Sequence, residues 1–121
     1  KAIIETESDK AEELFFSEKA VKGLKKTKNL DTMNKGRAQS REHPCNTVAA
    51  HLAKVSLNST DPVLMVENRY RMFSSREVAR IQSFPENFKL AASKTWNYLA
   101  LGNAVPPVLM GQVAKSVQKI I

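Results

Sequence analysis

Cys45 follows Pro44, lies two residues after His43, and has His51 six residues downstream. A cysteine attacks carbon or binds metal as its thiolate, which requires a cationic neighbour, a helix N-terminus or a metal to lower the thiol pKa. The stretch His43-Pro44-Cys45-Asn46-Thr47-Val48 offers no such cause, so Cys45 reads as a small structural residue. His43, Cys45 and His51 give three potential ligands without a fourth, which is poor support for zinc, and no metal site is expected. Asn58-Ser59-Thr60 matches a glycosylation sequon but sits in Asn58-Ser59-Thr60-Asp61-Pro62, a run of turn residues, and is read as a turn.

A second chemistry is the binding of a polyanion. The 121 residues carry 19 Lys and Arg against 12 Asp and Glu, a formal charge of +7. The excess lies in two blocks, around Lys19–Arg41 and Arg69–Lys94. Such blocks are either solvated helix faces or a divided phosphate-facing surface. Lys35, Arg37, His51, Lys54, Asn58 and Ser59 are the exposed-looking polar residues that could meet DNA, as phosphate contacts more readily than as base readers. A third chemistry is anion or carboxylate capture where Gly102-Asn103 breaks one helix and Pro106-Pro107 opens another, because the first turn of a helix carries free N–H groups.

The elements that must position these residues follow from local signals. Ser17 caps a helix containing Lys19, Ala20, Val21 and Leu24 and ending near Lys28, and 8–16 suggests an earlier helical piece. Residues 29–41 are polar and read as a loop. Thr47–Leu52 and Pro62–Val66 are short strand candidates. Ser74-Ser75-Arg76-Glu77 fits a capping box, with Val78 and Ile81 on one face of the helix it opens. Pro85 ends that helix near Ser83 or Phe84, and Phe84 and Phe88 are expected to anchor the turn in a core. Ser93–Leu101 reads as a further helix. Leu109, Val113 and Val117, with Ile120 or Ile121, recur at helical spacing toward the C-terminus. One cysteine excludes an internal disulfide, no apolar run reaches the ~20 residues of a membrane span, and no signal-peptide pattern opens the chain.

Two stretches carry a resemblance. Tyr70 to Phe88, reading Tyr70-Arg71-Met72-Phe73-Ser74-Ser75-Arg76-Glu77-Val78-Ala79-Arg80-Ile81-Gln82-Ser83-Phe84-Pro85-Glu86-Asn87-Phe88, resembles the ninth conserved block of bacterial DNA (cytosine-5)-methyltransferases. Tyr98-Leu99-Ala100-Leu101-Gly102-Asn103-Ala104-Val105-Pro106-Pro107-Val108-Leu109 resembles the tenth and last. Their order and spacing match the family. Residues 37–64 are more loosely similar to the target-recognition region that precedes the ninth block.

The resemblance implies roles. Arg76, Glu77, Arg80 and Gln82 fall at the polar positions of the ninth block, which organises the recognition region. Gly102, Asn103, Ala104 and Val105 fall where the tenth block lines the S-adenosylmethionine pocket. Family members flip the target cytosine out of double-stranded DNA, and a cysteine thiolate in a Pro-Cys loop adds to carbon 6 so that carbon 5 accepts the methyl group. Cys45 lies inside the recognition region, about 30 residues before the ninth block, where that nucleophile does not belong. Val66-Glu67-Asn68 is out of order for the family's Glu block, and Gly23, Gly36, Gly102 and Gly111 form no Gly-rich first block. No catalytic residue is therefore assigned.

The resulting expectation is an α+β chain, mostly helical with short strands. Residues 1–92 would form a target-recognition portion including the ninth block. Residues 93–121 would belong to the catalytic domain, their C-terminal helix packing on a Rossmann-like methyltransferase domain that this chain lacks. The start at Lys1, without an initiator Met, fits a fragment or the small subunit of a split enzyme, inactive alone. The partners would be double-stranded DNA and the catalytic domain or subunit, with no membrane, in the bacterial cytoplasm at the nucleoid. The rival from another class is a stand-alone basic DNA-binding module without enzymatic activity, which would bury the Leu109–Val113–Val117 face in its own fold.

Overall fold

The computed structural model describes residues 12–26, 37–39, 44–54 and 61–121. Lys35, Asn58, Ser59 and His43 lie outside them, as do most of the predicted 29–41 loop and the start of the 8–16 piece.

The architecture is α+β. A three-stranded sheet, β1 (Ala38–Gln39), β2 (Val63–Val66) and β3 (Arg69–Arg71), has β2 in the middle, parallel to β1 and antiparallel to β3. Helices α1 (Glu18–Leu24), α2 (Ser75–Ile81), α3 (Lys94–Asn103) and α4 (Pro107–Gln118) accompany it, with 3-10 turns at Glu12–Leu14 and Leu52–Lys54.

The β2–β3 hairpin closes through Glu67 and Asn68, both at positive φ (48° and 64°). Two successive left-handed residues match the right-handed twist of the flanking strands, as in a type I′ turn. Val66-Glu67-Asn68 is thus a hairpin tip. Sequence reading found β2 but not β3, because Tyr70 is its one apolar residue between two arginines. Leu64 pairs with Arg71, Met65 with Tyr70 and Val66 with Arg69. Leu14 and Phe16 extend the sheet edge: the Phe16 N–H donates to Tyr70 O at 3.0 Å and the Met72 N–H to Leu14 O at 2.9 Å. The Arg69 guanidinium lies 3.9 Å over the Phe15 ring and pairs with Glu12 at 2.7 Å.

Thr47–Leu52 is not a strand. Residues 44–49 follow an irregular path into a turn and the Leu52–Lys54 3-10 helix. Val48 and Leu52 are buried while Ala50 between them is half-buried, so the segment lacks the regular alternation of a strand. The path is tied to β1 by the Asn46 N–H, which donates to Gln39 Oε1 at 2.8 Å. Of the 8–16 piece, the described residues contain one 3-10 turn, and α1 ends at Leu24, short of Lys28. Ser17 caps α1 and Ser74 opens α2 with both bonds of the capping box, as their sequences predict.

The main core joins Val48, Leu52, Leu64, Phe73, Val78, Ala79, Tyr98 and Leu101. A smaller cluster of Leu24, Val63 and Tyr70 lies beneath α1. Helix α3 therefore shares its core with the sheet and α2, whereas α4 buries none of its residues among those described. Phe84 packs against the main core, but Phe88, expected to anchor the turn, is 39% exposed and stacks on Phe84 with ring centroids 4.6 Å apart. Helix α3 runs two residues past the expected end at Leu101, so Gly102 and Asn103 are its last two residues, and Ala104 takes the extended C-cap conformation.

Candidate cofactor and DNA-facing site

The four polar residues singled out in 70–88 lie on α2 and at its C-cap. Glu77 is fully buried. Its Oε2 accepts from the Ser74 N–H at 2.7 Å, and its own N–H donates to Ser74 Oγ at 3.1 Å. The remaining capacity of the carboxylate is filled by Arg71, whose Nη1 and Nη2 donate to Oε2 and Oε1 at 2.8 and 2.6 Å. Such a two-pronged pair fixes geometry as well as charge. Arg76 donates to Phe88 O at 2.9 Å, and Arg80 clasps Glu86 at 2.7 Å, so both hold the loop after α2. Gln82 Nε2 donates to Leu101 O at 2.7 Å and ties that loop to the end of α3.

Three supports escaped sequence reading. Asn97 closes the segment before α3 on itself, its Oδ1 accepting from the Ala91 N–H at 2.8 Å and its Nδ2 donating to Ala91 O at 2.9 Å. Tyr98 donates its hydroxyl to Phe73 O, and burial, reinforced by the Glu77 charge, pushes its pKa up to about 12. Ser83 stands at positive φ (60°), and its Oγ accepts from the Val108 N–H at 3.1 Å. Its place between a helix end and Phe84-Pro85 was the available signal. Arg71 and Asn97 had none, since each meets a partner six residues away across a bend that no local motif announces.

Residues 102–105 are presented between α3 and α4. A Cβ on Gly102 would come within 2.5 Å of Ala49 C and O and of Ala50 Cα, so glycine is required for α3 to reach the turn beneath it. Ala104 is half-buried, Val105 is 53% exposed, and the exposed Asn103 carboxamide makes no hydrogen bond among the described residues. An available amide beside an apolar surface fits a ligand with both polar and apolar parts. The helix start is less open than its sequence suggests. Pro106 and Pro107 have no N–H, and that of Val108 is taken by Ser83.

The DNA candidates divide. Arg37 is buried and not exposed as expected: its Nε donates to Asp61 O at 3.1 Å, and burial lowers its pKa against the raising effect of the Asp61 charge. A short β1 beside the Asp61-Pro62 entry to β2 draws it inward. His51 is exposed and holds the buried Asp61 carboxylate at 2.9 Å through Nδ1. Lys54 ends the Leu52–Lys54 3-10 turn. The second basic block is mostly engaged, since Arg69, Arg71, Arg76 and Arg80 all bind within the fold. Lys19, Lys22, Lys25 and Lys26 on and after α1 are exposed. Cys45 is half-buried against the main core, and burial raises its thiol to about 11, the opposite of what a nucleophile needs. No group of three or more potential metal ligands occurs among the described residues, and no helix among them is long and apolar enough to cross a membrane.

An α+β body with a buried arginine–carboxylate pair and a glycine-asparagine helix end defines a class when set beside known proteins. The sequence family described as C-5 cytosine-specific DNA methylase matches residues 2–119, and the chain belongs to that family. A type II methyltransferase of Bacillus paralicheniformis is 38% identical over 76 residues, covering 63% of this chain and 16% of that protein. A type II methyltransferase of Arthrospira platensis is 37% identical over 75 residues, covering 62% and 22%. The crystal structure of the S. pombe Dnmt2 methyltransferase superposes with a TM-score of 0.69 at 16% identity, over 98% of this chain and 41% of that one, a likeness of fold. The chain thus spans about a fifth of the length of these two bacterial relatives. The family acts on DNA, with S-adenosylmethionine as its methyl donor.

Proposed function

We propose that this chain is a C-terminal part of a DNA (cytosine-5)-methyltransferase. It recognises a DNA target and completes the S-adenosylmethionine pocket with Gly102, Asn103, Ala104 and Val105, while the nucleophile and the rest of the pocket come from a catalytic domain or subunit. The observation that carries this reading is α4. Val108, Leu109, Met110, Val113 and Val117 are all exposed, as are Val105, Leu99 and Trp96 in the residues that lead into it. Apolar surface of this extent marks a docking face. In this reading residues 93–121 are the seam where the recognition portion, residues 1–92, meets a Rossmann-like catalytic domain. A self-contained DNA-binding module would instead bury that face.

DNA would approach from the recognition portion, with Lys19, Lys22, Lys25 and Lys26 proposed as phosphate contacts in addition to His51, Lys54, Lys35, Asn58 and Ser59. Arg37 then acts from within as a brace for Asp61. The work would be done at the bacterial nucleoid. When bound, S-adenosylmethionine supplies the methyl group. The residues here hold and orient it, Asn103 through its carboxamide and Val105 through apolar contact.

The test is complementation. Co-expression of this chain with the catalytic region of the Bacillus paralicheniformis relative, lacking its own last two blocks, should restore cytosine methylation read by bisulfite sequencing. Methylation by the isolated chain would sink the proposal, as would a catalytic region that gains nothing from the added chain although the two co-purify.

A further inference from the structure

Helix α2 ends in a way that favours folding less than it could. The Phe84 N–H reaches back to Ala79 O at 2.8 Å, and Ser83 sits between them at φ 60°. This is the helix-ending motif whose left-handed residue is usually glycine, because any Cβ there is strained. A strained backbone position kept by a residue with a functional group asks what that group does. Here the hydroxyl accepts from the Val108 N–H at 3.1 Å, in the first turn of α4.

That bond matters because of what α4 lacks. Its N-cap is Pro106, without a side-chain cap, and none of its residues is buried. Among the described residues, the Ser83–Val108 contact is the only hydrogen bond that joins α4 to another element. The preceding residue grips the other end of the same segment, Gln82 Nε2 donating to Leu101 O at 2.7 Å. Two adjacent side chains of the α2 terminus therefore bracket residues 102–105, one at the last turn of α3 and one at the first turn of α4.

We infer that Ser83 is a positioning residue for the cofactor segment: its hydroxyl, with the Gln82 amide, sets the path of 102–105 and the departure of α4, at the cost of a left-handed serine. The inference rests on the reading that 102–105 line the S-adenosylmethionine pocket. Ser83 touches no cofactor and acts through Val108.

The discriminating variant is Ser83→Gly, which relieves the backbone and removes the hydroxyl. In the chain itself, amide exchange followed by NMR should show the Val108 N–H exchanging about tenfold faster, with shift changes at 103–106, while the melting temperature stays level or rises. In the complete methyltransferase carrying the same change, KM for S-adenosylmethionine should rise roughly three- to tenfold, the span of one net hydrogen bond, with kcat and KM for DNA unchanged. Unaltered Val108 exchange would overturn the inference. So would faster exchange with an unchanged cofactor KM, provided Asn103→Ala raises that KM. If Asn103→Ala also leaves it unchanged, the assignment of 102–105 to the cofactor fails, and the inference about Ser83 falls with it.

Discussion

Replacing Glu77 by glutamine tests how β3 and α2 are held together. The carboxylate is fully buried, and the Arg71 side chain opposite it is 3% exposed, so neither charge has water to fall back on. Glutamine keeps the shape and one carbonyl oxygen, which can still accept from the Ser74 N–H, so the capping box survives. What is lost is the negative charge and one of the two oxygens that receive the guanidinium at 2.6 and 2.8 Å. An amide N–H then faces a buried cation. Removing one partner of a buried pair costs about 3–5 kcal/mol, because the other charge remains desolvated and uncompensated. Against a total stability of about 5–15 kcal/mol, that is a large fraction. In urea unfolding followed by circular dichroism at 222 nm, with a slope of about 1–3 kcal/mol per molar, the midpoint should fall by roughly 2 M. The double change Arg71→Met with Glu77→Gln should recover most of the loss, since the glutamine still accepts from the Ser74 N–H and no unpaired cation remains buried. A loss below about 1 kcal/mol for Glu77→Gln, or a double variant no better than the single, would refute the view that charge pairing locks β3 to α2.

Two further predictions follow from the same coordinates. Gly102→Ala should destabilise the chain by about 1–3 kcal/mol or more, because the new methyl meets the Ala49 backbone at 2.5 Å, whereas Gly111→Ala, with nothing within 4 Å, should stabilise α4 by about 1 kcal/mol; thermal melts of the two variants should move in opposite directions. Cys45 should alkylate slowly at pH 8 and about tenfold faster per pH unit up to about 11, because burial favours the neutral thiol; a labelling midpoint near pH 8 would contradict its placement against the core.

What could be read from the sequence was local. Ser17 and Ser74 announced their helices because a cap and its partner lie within three residues. The proline pair placed the start of α4, and the paired blocks placed the chain in its family. Side-chain partners that no local motif announces were hidden. Arg71 looked like one more basic residue in a DNA-facing block, yet it neutralises Glu77. Arg37 looked exposed for want of any local pattern, yet it braces Asp61. The α3 terminus was read as a glycine break because Gly-Asn is a local stop signal, while the close approach of Ala49 and Ala50 that demands Gly102 comes from 50 residues upstream. The strand at Thr47–Leu52 failed for the complementary reason: β-forming residues make a strand when a neighbour accepts the ladder, and here Gln39 offers a single side-chain bond instead.

The Arg71–Glu77 pair also limits where the chain can recombine with a relative. A recombination seam placed between residues 71 and 77 would join an arginine from one parent to a partner position from another, and any mismatch would strand a charge in the interior. A seam at the Glu67-Asn68 hairpin tip carries no such hazard, because both turn residues are exposed and the pair travels intact on the downstream side. New sequence can thus be grafted ahead of β3 while Gln82, Ser83 and the 102–105 segment they bracket are inherited together.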